Sequence, residues 1–137
     1  MNVAVGVITD SAQRILITQR SLKNSHSGLW EFPGGKLEVG ELATSALVRE
    51  LNEELGIDVS AYRFLGEVHH TYNQQSICLL VYHVYEFEGE AICREGQMNM
   101  QWVEYSALKK YNFPEANIKI MKLISQSINE FSLLNFS

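Results

Sequence analysis

The chain has 137 residues, 46% hydrophobic and 20% charged, and 11 Lys and Arg against 16 Asp and Glu give a formal net charge of −5. This balance predicts one folded domain over residues 1–137 and excludes a disordered chain. The acidic charge, without a cluster of Lys or Arg, argues against a nucleic-acid polymer as partner. Short apolar runs and only two cysteines predict a cytoplasmic protein without membrane contact, and we expect a monomer.

Turn residues and apolar alternation mark the elements of the first half. The first elements are a strand over residues 2–9, a turn over 10–13 and a strand over 14–20, and the two strands are predicted to form a hairpin. They are followed by a polar loop over 21–28, a short apolar run over 29–32 before Pro33-Gly34-Gly35, and a helix over 41–55. The helix is predicted because its leucines recur every four residues.

The second half is predicted in the same way. Its elements are strands over residues 62–72 and 76–87, a short strand over 101–104, a helical turn over 106–111 and a helix from Glu115 to about residue 128. Residues 76–87 are apolar on both faces, which predicts a central strand. Strands and two helices outside regular βαβ alternation predict an α+β fold with a mixed sheet.

The helix over residues 41–55 carries an arc of carboxylates. Glu50, Glu53 and Glu54 share one face at the margin of an apolar stripe. Each like-charged pair costs roughly 0.2–0.5 kcal/mol, more when partly buried. A divalent cation with a preference for oxygen ligands, Mg²⁺ or Mn²⁺, would remove this repulsion. The alternative, a solvated acidic helix face, is common for a Glu-Glu pair alone.

Residues around these glutamates support the metal-site prediction. Arg49 lies one helical turn from Glu53 and can orient its carboxylate. Gly56 is suited to end the helix in a left-handed conformation. Gly34 and Gly35 allow a close backbone approach, by which a carbonyl can face the same metal ions.

This segment resembles the signature of the Nudix hydrolase family. The specified positions are Gly35, Glu41, Arg49, Glu50, Leu51, Glu53, Glu54, Gly56 and Ile57. The resemblance implies the Nudix fold, a mixed β-sheet between helices, and hydrolysis of a nucleoside diphosphate linked to another moiety. It implies that the metal ligands are Glu50, Glu53, Glu54 and the carbonyl of Gly34. It also implies that Arg49 orients Glu53 and that Glu41 is a structural or outer-sphere residue near the helix start.

Segments outside the signature resemble the MutT subgroup, diphosphatases of 8-oxo-dGTP. They are residues 3–8, 16–20, 30–36, 94–97 and 113–117. The resemblance implies that Asn117 reads the modified guanine, with helix capping as the alternative role. It implies that Glu95 is a further metal ligand or water activator, the alternative being a surface residue.

Further substrate-binding candidates surround the expected nucleotide pocket. Tyr72 is a candidate for base stacking. For Phe32 we expect either a position beside the base or an ordinary position in the core. Arg20 contacts the substrate phosphate or sugar, or is a solvated charge. For His69 and His70 we expect ordinary strand positions, because adjacent strand residues point to opposite faces and cannot easily chelate one ion. Cys78 is expected in the core.

The leading hypothesis is a Mg²⁺- or Mn²⁺-dependent diphosphatase that converts a nucleoside triphosphate, 8-oxo-dGTP, to the monophosphate and pyrophosphate. MutT-like enzymes are taken to direct water to the β-phosphorus, with Glu50 as the first choice of base and Glu95 the second. A pyrimidine nucleotide such as CTP, dCTP or 5-methyl-dCTP is the alternative substrate. A non-catalytic nucleotide-binding module is remote because all signature glutamates are present, and hydrolysis of ADP-ribose or sugar nucleotides usually accompanies a longer chain.

Overall fold

The computed structural model describes residues 1–21, 28–97 and 99–136, so most of the predicted polar loop lies outside the described residues. The elements in chain order are β1 (Asn2–Ile8), β2 (Ile15–Gln19), β3 (Trp30–Glu31), β4 (Gly34–Lys36), α1 (Ala43–Leu55), β5 (Asp58–Tyr72), β6 (Gln75–Glu88), β7 (Asn99–Val103), a 3₁₀ helix (Tyr105–Lys110) and α2 (Glu115–Phe136). No helix in the described part of the chain is long and apolar enough to cross a membrane.

The main sheet has four strands in the order β4-β1-β6-β5. Strand β1 runs parallel to β6, whereas β1–β4 and β5–β6 are antiparallel, so the sheet is mixed as predicted. Strand β6 lies between β1 and β5, which confirms its central position. Both faces of β6 are apolar because each one packs against a different hydrophobic cluster, Leu79 and Val81 in one and Tyr82 and Val84 in the other.

The second sheet has three strands in the order β3-β2-β7. The predicted hairpin between β1 and β2 is wrong, because the two strands belong to different sheets. Both edges of β1 are taken by β4 and β6, and only an isolated bridge joins Thr9 to Ile15. The turn itself forms, held by the Asp10 carboxylate, which accepts bonds from the amides of Ala12 and Arg14.

Two hydrophobic clusters fill the space on either side of the main sheet. The cluster with α1 contains Ala4, Ile8, Leu16, Ala46, Leu47, Leu51, Leu55, Ile57, Tyr82, Val84 and Ala91. The cluster with α2 contains Val5, Val7, Ile15, Ile17, Phe32, Val68, Leu79, Val81, Val103, Leu108, Phe113, Ile120 and Ile124. Helices on both faces of a mixed sheet confirm the predicted α+β class.

Three element boundaries differ from the predictions in ways that have a clear physical reason, beyond shifts of one or two residues elsewhere. Helix α1 begins at Ala43 rather than residue 41, and it ends at Gly56 with φ 72°, as expected for a left-handed C-cap. Strand β5 begins at Asp58 rather than residue 62, because register shifts along it interrupt the alternation that would reveal a strand. Helix α2 extends to Phe136 rather than residue 128, since no Gly or Pro follows to end it.

Candidate active site

Arg49 on α1 is the centre of a carboxylate network. Its Nε and Nη2 donate to the two carboxylate oxygens of Glu41 at 2.8 Å each. Its Nη1 donates to Glu50 at 2.8 Å and to Glu53 at 3.3 Å, and Nη2 also reaches the carbonyl of Lys36. The hydrogen bonds from Arg49 lower the pKa of Glu41 to about 2, while Glu41 above all raises the pKa of Arg49. Glu41 thus holds the arginine in place. The sequence predicted a contact between Arg49 and Glu53, and this hydrogen bond is longer than those to Glu41 and Glu50.

Glu54 occupies a different environment one residue further along the helix. Its Oε2 accepts a bond of 3.0 Å from the amide of Gly34 in β4. Burial, followed by the negative charges of Glu31 and Glu50, raises the pKa of Glu54 to about 8, and Glu95 adds to this effect. Burial and the neighbouring carboxylates therefore disfavour the ionised form of Glu54, and a bound cation would stabilise it.

The donor set around Glu54 fits a divalent cation of the hard type. Its charged groups are carboxylates from α1, from β3 and from the loop that contains Glu95, and such ions prefer oxygen. Gly35 leaves space for the Glu50 carboxylate, since a Cβ at this position would lie 2.2 Å from the carboxyl carbon of Glu50. The roles predicted for the Gly34 carbonyl and for Glu95 as ligands stay predictions.

A cavity of about 620 Å³ opens beside Glu54. Its lining includes the predicted residues Arg20, Phe32, Gly34, Gly35, Glu54, Tyr72 and Asn117. The remaining predicted site residues lie outside that lining: Glu41, Arg49, Glu50, Glu53, Gly56 and Glu95. The arrangement places an amide and aromatic rings in the same cavity as the half-buried Glu54 carboxylate.

Asn117, in the first turn of α2, is joined to the end of the Trp30–Phe32 segment. Its Oδ1 accepts a bond of 3.1 Å from the amide of Phe32. Phe32 is buried and stacks on Phe113, with ring centroids 5.3 Å apart and planes 14° from parallel. Asn117 is therefore fixed in orientation, and among the described residues its Nδ2 donor has no hydrogen-bond partner, so it is available to a ligand.

Among the cavity residues that sequence reasoning missed, Glu31 and His70 make side-chain contacts with other elements. Glu31 accepts a bond of 2.7 Å from Nε of Arg20, and both line the cavity. Its position directly before Phe32-Pro33-Gly34 was the available signal. His70 also lines the cavity, and Nζ of Lys119 lies 3.1 Å from its Nδ1. Its contact comes from α2, about 50 residues away, which no local pattern reveals.

Comparison with known proteins identifies the family. The model of the NUDIX domain family matches residues 4–123. The chain belongs to the Nudix family. This Nudix hydrolase is 43% identical over 96 residues to an 8-oxo-dGTP diphosphatase of Proteus vulgaris, covering 70% of the chain and 86% of that protein.

Two further similarities concern the substrate and the fold. A CTP pyrophosphohydrolase of Escherichia coli (strain K12) is 33% identical over 118 residues, covering 86% of the chain and 87% of that protein. A solved structure from work on MutT of Aliivibrio salmonicida and Vibrio cholerae matches with a TM-score of 0.78 and 38% identity, covering 91% of this chain and 97% of that one. The predicted Nudix fold and MutT likeness are thereby confirmed, and divalent-metal dependence is general in this family.

The close approach at Gly35 gives a testable expectation. In Gly35→Ala the new Cβ must displace the Glu50 carboxylate, which is the mobile end of a side chain, so folding should be little affected. Because the carboxylate would leave its bond with Arg49, we expect kcat to fall by about 100-fold. Steady-state rates with Mg²⁺ and thermal unfolding measure the two effects.

The matched control is Ser45→Ala, on the exposed side of α1. Its kcat should equal that of the unmodified enzyme. An unchanged kcat in Gly35→Ala would show that the position of Glu50 does not matter for turnover.

Proposed function

We propose that this Nudix hydrolase is a nucleoside triphosphate diphosphatase that converts 8-oxo-dGTP to 8-oxo-dGMP and pyrophosphate. The observation that carries the proposal is a single cavity lined by Asn117 and Phe32 together with Gly34, Gly35 and Glu54. A base-reading amide and a metal-binding carboxylate are then within reach of one nucleotide. The likeness to 8-oxo-dGTP diphosphatases supports the substrate. We further propose that residues 1–137 form one domain, a monomer that clears oxidised nucleotides from the cytoplasm.

In this proposal Mg²⁺ or Mn²⁺ is held by the signature carboxylates and their neighbours. The residues that would hold it are Glu50, Glu53, Glu54, Glu95 and the carbonyl of Gly34. When bound, such ions would neutralise the negative charge of the triphosphate and lower the pKa of a bound water molecule. The raised pKa of Glu54 supports this assignment, since a cation would allow the carboxylate to ionise.

The reaction needs a proton acceptor beside the attacking water. We assign that role to Glu50, with Glu95 as the alternative. Water attacks the β-phosphorus, the bond from that phosphorus to the oxygen bridging to the α-phosphate breaks, and the glutamate takes the water proton. The water oxygen ends in pyrophosphate, and the monophosphate leaves. Arg49 holds the Glu50 carboxylate at 2.8 Å, which supports a fixed direction for the transfer.

Arg20 is a cationic side chain in the lining of the cavity. Its Nε–Glu31 ion pair of 2.7 Å holds the guanidinium at the cavity wall. We propose that Arg20 contacts the phosphate or sugar, with Glu31 limiting its movement. Tyr72, which is 51% exposed, is proposed to cover the base from the end of β5.

Base selection is assigned to Asn117. In 8-oxo-guanine N7 carries a hydrogen, whereas in guanine N7 is an acceptor. Nδ2 of Asn117 can donate to O6, and the second lone pair of Oδ1 can accept from N7–H. Guanine would set its N7 lone pair against Oδ1, leaving both groups unpaired in a confined site. Such a mismatch costs binding free energy, so the oxidised base is preferred.

Two substitutions at Asn117 test this assignment. Asn117→Ala removes both polar atoms and is expected to abolish the preference for 8-oxo-dGTP over dGTP, mainly through KM. Asn117→Asp keeps oxygens for the Phe32 amide and for N7–H but loses the Nδ2 donor to O6, which both bases share, so kcat/KM should fall for both nucleotides while the preference persists. Values of kcat/KM for both nucleotides with Mg²⁺ provide the measurement. If Asn117→Ala retains the preference, Asn117 positions Phe32 and does not read the base.

A pyrimidine nucleotide is the second candidate substrate. The likeness to a CTP pyrophosphohydrolase, over a similar share of the chain, favours it. The metal site and the attack at phosphorus would be the same, so only the base end of the cavity separates the two candidates. An enzyme without any 8-oxo-dGTP preference before mutation would support the pyrimidine substrate.

A further inference from the structure

Three side chains meet on the β5–β6 pair, away from the signature glutamates. Glu67 and His69 are two residues apart on β5 and therefore share a face, and Cys78 on β6 lies directly opposite His69. Nε2 of His69 is 3.1 Å from Oε2 of Glu67, and Sγ of Cys78 is 4.0 Å from the same oxygen. The expectation that Cys78 is a core residue is wrong, because its thiol faces this polar group.

The spacing of these atoms suits a tetrahedral metal ion. One nitrogen, one oxygen and one sulfur atom all lie within 4.8 Å of one another. Ligands of a tetrahedral Zn²⁺, at bond lengths of about 2.0–2.3 Å, are separated by about 3.3–3.7 Å. Small side-chain rotations thus complete the geometry. A thiolate and an imidazole favour Zn²⁺ or a similar transition metal over Mg²⁺, which prefers oxygen.

The backbone that carries these side chains is held in place. Cys78 lies in the central strand, paired with Asn2 of β1 on one side and with His69 of β5 on the other. Its amide donates to the carbonyl of Met1 at 2.8 Å. The β-carbons of Cys78 and His69 are therefore fixed relative to each other, so binding a metal orders only the side-chain ends.

The group is open to solvent and separate from the nucleotide cavity. The His69 and Glu67 side chains are 73% and 50% exposed, so a metal ion can enter and water can complete its coordination. None of the three residues lines the nucleotide cavity. Burial and the Glu67 charge raise the pKa of the Cys78 thiol, so metal binding releases the thiol proton.

We propose that Glu67, His69 and Cys78 form a binding site for Zn²⁺ or a similar divalent transition metal, distinct from the carboxylate site of the hydrolase. The site joins β5 to β6 near the end of the hairpin. His70, adjacent to His69, lines the nucleotide cavity, so the metal would bind one residue away from the wall of that cavity.

Titration with Co²⁺ tests the site, because a thiolate bound to Co²⁺ gives a charge-transfer absorption band that a carboxylate site lacks. The full chain is titrated in excess Mg²⁺, which occupies the carboxylate site. We expect the band to saturate at one Co²⁺ per chain and to be reversed by Zn²⁺. Cys78→Ser should lose the band, and His69→Gln, an exposed change that leaves the core untouched, should weaken binding at least tenfold.

The matched control is Cys93→Ser, which removes the exposed second cysteine and should keep the band. Absence of a band in the unmodified chain would overturn the proposal. So would a band that survives Cys78→Ser or that is lost in Cys93→Ser. None of these results bears on hydrolysis, which depends on the carboxylate site.

Discussion

Replacing Glu53 or Glu54 by Gln is expected to lower kcat by roughly 10²- to 10⁴-fold with saturating Mg²⁺, because a metal ligand contributes several kcal/mol of transition-state stabilisation. The fold should persist, since both side chains lie at the margin of the core rather than in it. Glu54 should show the larger loss, because it is half-buried and bonded to Gly34, whereas the Glu53 side chain is 47% exposed. Single-turnover and steady-state rates on 8-oxo-dGTP measure the effect.

The matched control for these substitutions is Glu90→Gln, an equally conservative change at an exposed position outside the site. It should leave kcat unchanged. Turnover near that of the unmodified enzyme in either Glu53→Gln or Glu54→Gln would show that the signature carboxylates do not hold a catalytic metal.

The metal-free protein is expected to become less stable as pH rises from about 6.5 to about 8. Glu54 has a folded pKa of about 8 against an ordinary 4.5, so between these values the folded state keeps a proton that the unfolded state has lost. Burial lowers the pKa of His83 to about 4 from an ordinary 6.5, which gives an opposite slope below about pH 6.5. The free energy of unfolding therefore falls mainly between about pH 6.5 and 8 and levels off above that range, by an amount on the order of 2 kcal/mol. Urea unfolding in a chelator, at several pH values, gives the slope.

Glu54→Gln should remove most of that slope and be more stable than the unmodified protein near pH 8. Mn²⁺ should raise the melting temperature of the unmodified protein by preferential binding to the folded state, and much less that of Glu54→Gln. Ca²⁺ is expected to stabilise as well but to support turnover poorly, because its geometry is looser. Equal pH slopes in the two proteins would contradict the environment assigned to Glu54.

The residues most predictable from sequence were those on one helix. Glu50, Glu53 and Glu54 are related by helical spacing, so their shared face and their position beside the leucine stripe follow from periodicity alone. Gly56 as the end of that helix follows from the conformational freedom of glycine. The central place of β6 follows from its two apolar faces.

Contacts between distant segments were not predictable in this way. Which edge of β1 pairs with which strand depends on the whole sheet, so the assumed hairpin was wrong. Glu41 as the main partner of Arg49 depends on how the chain enters α1. The bond from Phe32 to Asn117 joins residues 85 positions apart. To predict that Glu67, His69 and Cys78 lie together, the register between β5 and β6 must be known, and the bulges in β5 make that register irregular.

Initial rates on 8-oxo-dGTP, dGTP, dCTP, CTP and ADP-ribose, at equal low concentration with Mg²⁺ and with the products identified, show which nucleotide the enzyme prefers and which bond it breaks. Rates at low concentration report kcat/KM, which measures discrimination between substrates. We expect the highest rate for 8-oxo-dGTP, with 8-oxo-dGMP and pyrophosphate as products. A higher rate for CTP or dCTP, or release of orthophosphate instead of pyrophosphate, would contradict the proposed function.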